Sequence, residues 1–349
     1  MLSLLRILFF PILYPLSLVY KILFYLDRSL KKKRTLPNAF TISVGNFSVG
    51  GTGKTPFTIH LANLLHSEFP KIPILILTRG YGSSGTGIRR VDLNSEPSQV
   101  GDEPYLLKKN LSFANVYVGS NRYESYLQYR KDEKLKENDI VFVLLDDGFQ
   151  HHALTRDLDL VLLDCTRISH SDFTLPLGLL RESYSSVSRA DVLVASKYED
   201  RFEKELSSWI SKYRPKQTLK FRFGSKELVP LSPSSKLKVT QLAGKSVYAI
   251  AGLGNPSAFW KSLSELGPSQ LKTKAFPDHH SYTKEDIQII STNAEGADLI
   301  LCTEKDAVKI SRILDPSKTS SKWFYLGLQT SLIQEKVLIE LVKKKFPNR

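Results

Sequence analysis

Three glycines, Gly50, Gly51 and Gly53, crowd ahead of Lys54 and Thr55. A β-branched run at residues 41–44 precedes them and a helical pattern at 57–65 follows. A backbone this free of side chains can wrap a polyphosphate, turning amide N–H groups and the next helix N-terminus toward the anion. The spacing marks Ser48, Val49, Gly50, Gly51, Thr52, Gly53, Lys54 and Thr55 as a nucleotide-binding loop. Within it Lys54 is expected to reach the outer phosphates, and the Thr55 hydroxyl to join a Mg2+ shell. Ser48 stands where the usual loop carries its first glycine. A serine holds that turn if its backbone angles stay ordinary.

Transfer from a nucleotide also needs acids. Asp146 and Asp147 close an apolar run at residues 139–145, where a carboxylate that holds Mg2+ directly or through water belongs. Neighbouring side chains on an extended backbone point to opposite faces, so one of the pair is expected at the metal and the other in the loop. Asp102 and Glu103, just ahead of Pro104, suit a helix N-cap. The N-cap is the commoner use of such a pair; the alternative is a carboxylate that receives a proton from an alcohol acceptor. Residue type leaves both open. His279 and His280 follow Asp278 without the further ligands of a zinc site. Gly252, Leu253 and Gly254 follow a strand-like run, but Ser257 replaces the third glycine of a dinucleotide fingerprint, so a tight turn is expected. Arg79, Arg89, Arg90, Arg122, Arg156, Arg181 and Arg189 are candidates for gripping phosphates bidentately.

The elements that must position these groups are apolar strands alternating with helices. Strand-like runs fall at residues 41–44, 72–77, 115–118, 139–145, 158–163 and 191–195, which argues for a parallel sheet covered on both faces. Chemistry in such sheets collects at the carboxyl ends of the strands, and the phosphate loop, Arg79, Asp146, Asp147 and Asp164 all follow strands. A charged helix at 199–213 leads through a Pro- and Ser-rich patch at 230–235 into a second alternating unit. Its strands are expected at 247–251, 298–302 and 323–326, and its last helix at 332–344. The expected domains are therefore residues 1–35, 36–205 and 206–349, with the last helix free to pack back on the first unit.

A chain of 349 residues with 42% hydrophobic and 24% charged residues is long enough for two cores. Its net charge of +14 calls for an anionic partner. No aromatic-plus-basic RNA-binding signature accompanies that charge, so nucleic acid is not expected. Cys165 and Cys302 sit in apolar runs without metal spacing, which suits a reducing compartment. Residues 2–26 are almost continuously apolar and a basic cluster follows: Arg28, Lys31, Lys32, Lys33 and Arg34. The uninterrupted part, residues 7–20, is short for a span; snorkelling by Arg6 and Lys21 would extend it, or the segment lies in the interface. The basic flank suits an anionic leaflet and, if the segment spans, keeps the body cytoplasmic.

Taken in order, these pieces resemble the tetraacyldisaccharide 4′-kinase family, the lipid A 4′-kinases of Gram-negative bacteria. The likeness covers nearly the whole chain. It is carried by the phosphate loop with its serine, Thr78-Arg79-Gly80-Tyr81, Val100-Gly101-Asp102-Glu103-Pro104 and Asp146-Asp147-Gly148-Phe149-Gln150-His151. Pro176-Leu177-Gly178, Leu180-Arg181-Glu182, Arg189-Ala190-Asp191, Ala251-Gly252-Leu253-Gly254-Asn255-Pro256, Phe276-Pro277-Asp278-His279-His280 and Thr303-Glu304-Lys305-Asp306 continue it. The resemblance implies a P-loop NTPase-like α/β fold and a smaller C-terminal α/β domain that closes over the site. It also implies ATP and Mg2+, and an acylated glucosamine disaccharide 1-phosphate as acceptor at the cytoplasmic face of the inner membrane. A monomer is expected. By the same resemblance Asp102 takes the hydroxyl proton with His279 in support, and Lys54 serves the phosphates. Thr55, Glu103 and Asp146 flank the metal. Asn46, Arg79, Arg122, Asp147, Gln150, His151 and Arg181 bind substrate. A membrane-associated P-loop ATPase switch is the competing reading, although Val49 occupies the place of the signature lysine of partition ATPases.

Overall fold

The computed structural model describes residues 9–80, 83–168, 172–231, 236–314 and 322–346. Residues 1–8, Tyr81 and Gly82 of the arginine motif, and residues 232–235 of the Pro- and Ser-rich patch lie outside them.

The described strands form one thirteen-stranded sheet. At the centre of its parallel part runs β1 (Ala39–Asn46), buried along its whole length. β5 (Val141–Asp146) and β6 (Leu158–Asp164) flank it in parallel, with Ile42 opposite Leu144 on one side and Leu158 on the other. Beyond β5 lie β2 (Ile74–Thr78), β4 (Asn115–Val118) and the antiparallel edge strand β3 (Arg89–Val91). β7 (Val192–Ser196) follows β6, and then comes β8 (Thr218–Pro230). The start of β8 runs parallel to β7, whereas residues 221–230 pair antiparallel with β13 (Trp323–Leu332). That ladder carries the sheet on to β12 (Leu299–Cys302), β10 (Ser246–Ala251) and β11 (Gln270–Ala275), and the short β9 (Leu237–Lys238) pairs with β8.

Two elements outrun the sequence pattern, for one reason. β8 and β13 both run longer than their local apolar runs, because each supplies the other's backbone partners over some ten residues. Extended backbone therefore reaches Leu332, and the last helix begins only at Glu335. β3 has no counterpart in the apolar pattern, because an edge strand with one solvent face can be polar.

Helices cover both faces. α2 (Lys54–Glu68) buries Phe57, Leu61 and Leu65 against Phe40, Ile42 and Phe142, and α10 (Glu335–Lys345) adds Leu338 and Val342 to the same core. On the opposite face α5 (Arg122–Asp132) packs Tyr126 and Tyr129 on Leu75, Val143 and Leu145. Each such side chain contributes about 1.5–3 kcal/mol of burial, which is what holds β1 and β5 rigid beneath their carboxyl ends. Separate cores lie around Ile250 and Trp323, and around Val247 and Phe324.

The N-terminal helix α1 (Phe10–Leu30) is different. Ser17 is its one buried residue, while Ile22 and Leu23 are 59% and 60% exposed. A thin seam attaches it: Ser17 Oγ donates to Thr174 O (3.0 Å), Tyr20 Oη donates to Arg181 O (3.0 Å), and Phe24 meets His152 edge-on. An apolar helix that leaves most of its large side chains uncovered is not a core helix.

Candidate active site

β1 ends at Asn46 and the chain then turns through the glycine loop into α2. Gly50 and Gly53 adopt φ of 96° and 89°, a region that side chains disfavour, and a Cβ on Gly53 would sit 2.8 Å from Ser196 Oγ. Side chains hold the loop's carbonyls: Asn46 Nδ2 donates to Ser48 O (2.6 Å), Lys197 Nζ to Gly51 O (2.6 Å) and Ser196 Oγ to Thr52 O (2.7 Å). Val49 N donates to Leu179 O (2.9 Å). In the first turn of α2 Pro56 has no N–H and Phe57 N is bonded to Gly53 O, so the amides of Lys54 and Thr55 are the ones left to meet an anion.

Lys54 projects back across the loop, 3.2 Å from Asn46 Oδ1 and 3.4 Å from Asp147 Oδ1. Arg181 Nη1 grips both oxygens of Asp147, at 3.0 and 2.8 Å. Burial alone would raise the Asp147 carboxyl, but Lys54 and Arg181 outweigh it and hold the group below the ordinary carboxylate range. The two aspartates do separate, although not by strand alternation. Asp146 ends β5, whereas Asp147 has already left the strand with φ of 51°, so a turn aims it. Gly45 makes room for that turn, since a Cβ there would lie 2.5 Å from the backbone nitrogen of Phe149.

Asp146 is buried, and among the described residues its Oδ1 has no hydrogen-bond partner. Burial, then the charges of Glu103 and Asp147, push its pKa up to about 7 against the pull of Lys54 and Arg122. A buried carboxylate oxygen without a partner, under the charges of Glu103 and Asp147, suits a cation. No group of three or more acidic, His or Cys ligands gathers among the described residues. The donor set thus fits a cation held by one or two carboxylates, a hydroxyl and substrate phosphates, as Mg2+ usually is.

The second acidic pair opens helix α4 (Asp102–Asn110). Gly101, at φ 98° and ψ 148°, takes the N-cap position, so Asp102 does not cap and its side chain turns elsewhere. His279 Nδ1 lies 3.0 Å from Asp102 Oδ2, bridging 177 residues of sequence. Lys309 Nζ reaches the same oxygen at 2.7 Å. Lys305 Nζ lies 3.3 Å from His279 Nε2 and 3.7 Å from Glu103 Oε1. His280 turns away to Asp286 (3.0 Å), in the capping box of α8 (Lys284–Asn293).

Arg122 is fully buried and donates Nη2 to Asp146 O (3.0 Å). Gln150 Nε2 donates to Asn46 O and to Glu182 Oε1, both at 2.8 Å. Arg79 is exposed, near enough to His151 for its charge to act on that ring. Burial, then Arg122 and Arg79, drive His151 down to about 3, which keeps the ring neutral. Arg89, Arg90, Arg156 and Arg189 instead hold neighbouring loops and elements, Arg90 to Glu133 (2.7 Å) and Arg189 to Glu182 (2.6 Å). Four groups at the site had no role assigned from the sequence: Glu182 and Lys305, which stand inside motifs quoted above, and Lys197 and Lys309. For Lys305 and Lys309 a signal exists, an i, i+4 lysine pair directly after a strand end.

With that geometry in hand, the sequence matches the LpxK family, tetraacyldisaccharide-1-P 4′-kinase, over residues 9–347. The chain belongs to that family. LpxK-family relatives include the tetraacyldisaccharide 4′-kinase of Syntrophobacter fumaroxidans, 35% identical over 311 residues that cover 85% of this chain and 79% of that protein. The tetraacyldisaccharide 4′-kinase of Dechloromonas aromatica is 34% identical over 339 residues, covering 97% and 93%. A crystal structure of LpxK from Aquifex aeolicus in complex with ATP matches with a TM-score of 0.74 and 30% identity, covering 98% of this chain and 99% of that one. The LpxK fold is thus the one described here, a P-loop kinase sheet joined to a smaller α/β unit.

Proposed function

We propose that this LpxK-family chain transfers the γ-phosphoryl group of ATP to the 4′-hydroxyl of tetraacyldisaccharide 1-phosphate, forming lipid IVA. The observation that carries the reading is the meeting of Asp102 and His279 next to Glu103, whose charge reaches Asp146 at the end of the phosphate-loop sheet. The 4′-oxygen attacks the γ-phosphorus, the bond to the bridging β-oxygen breaks, and ADP leaves. Asp102 receives the hydroxyl proton, with His279 holding its carboxylate in place. Lys54 and the α2 amides meet the charge on the transferring group, and Arg122, Arg181, Asn46, Asp147, Gln150, His151 and Arg79 line the acceptor side. Residues 206–349 supply His279, so the site is complete only while they stay closed on residues 36–205, as the Asp102–His279 contact requires.

Thr55, Asp146 and Glu103 are the residues that would hold Mg2+. The cation, when bound, supplies neutralisation of the phosphate oxygens. Because Asp146 must be ionised to serve, divalent affinity should rise with pH as its carboxyl deprotonates. Mn2+ titration followed by electron paramagnetic resonance is expected to show about tenfold tighter binding at pH 8 than at pH 6. Equal affinity at the two values, unchanged again in Asp146→Asn, would exclude Asp146 as a ligand.

The acceptor carries acyl chains, and the uncovered face of α1 with its basic flank suits the anionic cytoplasmic leaflet of the inner membrane. Deleting residues 1–26 is expected to move the protein from the vesicle pellet to the supernatant in sedimentation with anionic lipid. Unchanged pelleting would assign anchoring to another surface. The decisive assay is mass spectrometry of acyl disaccharide 1-phosphate incubated with the protein and ATP·Mg2+, in which one added phosphate is expected. ATP turnover indifferent to the lipid would favour a nucleotide switch instead.

A further inference from the structure

The roles above use Asp102, Glu103 and His279 but not the two ammonium groups that meet them. We propose that Lys305 and Lys309 are positioning residues of the transfer reaction, fixing the Asp102 carboxylate and the tautomer of His279 from the far side of the cleft. The proposal rests on the reading of Asp102 as proton acceptor.

Both lysines lie on α9 (Glu304–Ile310), a helix capped by Thr303, whose side chain accepts from Asp306 N. Four residues apart, they share one face. Their side chains are 13% (Lys309) and 17% (Lys305) exposed; water screens the Lys309–Asp102 pair little, while the His279 ring that Lys305 meets is 43% exposed. An ionised carboxylate only accepts and a lysine ammonium only donates. With Asp102 Oδ2 at Nδ1 and the Lys305 ammonium at Nε2, the ring is complementary to both only when its proton sits on Nδ1. Lys305 therefore selects the tautomer that donates to Asp102.

Lys309 acts on the carboxylate itself. It and His279 both contact Oδ2, which presents Oδ1 to an incoming hydroxyl. Lys309 Nζ also donates to His280 O (3.1 Å). That bond ties down a turn in which His279 has φ of 59°, an uncommon conformation for a residue with a side chain. One ammonium thus holds both members of the pair.

Docking of α9 on its neighbours does not need these two lysines alone. Arg312, one turn further, pairs with Glu96 (2.7 Å), donates to Ser95 O (2.7 Å) and lies 4.9 Å over the Tyr105 ring. It joins the same two halves without touching Asp102 or His279, and so separates docking from positioning.

The test measures kcat and the KM for ATP on the full chain with acyl disaccharide 1-phosphate. Lys309→Met is expected to lower kcat about 10- to 100-fold, with KM for ATP within about twofold. Lys305→Met should lower kcat about tenfold, but by less than about twofold when His279→Ala is already present, because the two act in series. Arg312→Gln should stay within about threefold of the parent. A loss in Arg312→Gln equal to that in Lys309→Met, or an undiminished Lys305→Met effect without His279, would overturn the proposal in favour of docking. Independently of any lysine variant, 15N shifts of histidine-labelled parent enzyme, assigned by the signal lost in His279→Ala, should show His279 protonated at Nδ1. A ring protonated at Nε2 would sink the idea. If Asp102→Asn keeps parental kcat, the proton-acceptor reading has failed; if it is impaired while both lysine variants match the parent, only the positioning role has.

Discussion

Lys54→Ala is expected to abolish phosphoryl transfer, lowering single-turnover rates at saturating ATP by about 10³-fold or more. Removing one preorganised donor from a developing oxyanion costs about 10²–10³ in rate. Lys54 carries a full charge and does a second job besides. It faces Asp147 at 3.4 Å and, with Arg181, holds that buried carboxyl ionised. Truncation would therefore remove a phosphate partner and loosen the Asp147–Arg181 pair together. Arginine is no substitute, because the Lys54 side chain is only 13% exposed and a planar fork needs more room than a point charge. Radiolabel transfer from ATP to acyl disaccharide 1-phosphate reads the result, with thermal unfolding as the check that the variant folds. A near-normal rate in a folded variant would refute the phosphate-loop assignment.

Asp102→Ala is expected to lower turnover by about 10²–10⁴-fold, the range of a positioned general base, while ATP affinity changes little. The pairing with Lys309 adds a complication whose size matters. Removing one member of a buried ion pair costs about 3–5 kcal/mol, because the other charge is left without its partner. A lost alanine variant could therefore be a stability result. Asp102→Asn keeps the shape and an acceptor oxygen for Lys309 while removing the basicity, so it is the variant to compare. Both should bind ATP normally in equilibrium titration and fail in transfer. A defect confined to ATP binding would make Asp102 a nucleotide or metal residue instead.

What could be read from the residues alone was whatever depends on near neighbours. Glycines at positions 50, 51 and 53 before Lys54 specify a loop because left-handed turns and close backbone approach are local demands. β1, β5 and β6 were legible because strands buried on both faces are apolar throughout. Placing Asp146 at a strand end needed no more than that.

The tertiary structure decided what depends on distant partners. Asp102 could cap a helix or take a proton, and its choice was made by Gly101 occupying the cap and by His279 and Lys309 arriving from 177 and 207 residues away. The extent of β8 and β13 was set by their mutual ladder, and the aim of Asp147 by a left-handed turn rather than by strand alternation. Local sequence encodes backbone preference. Which charges meet across a cleft is set by the packing that brings remote elements together, and no window along the chain contains it.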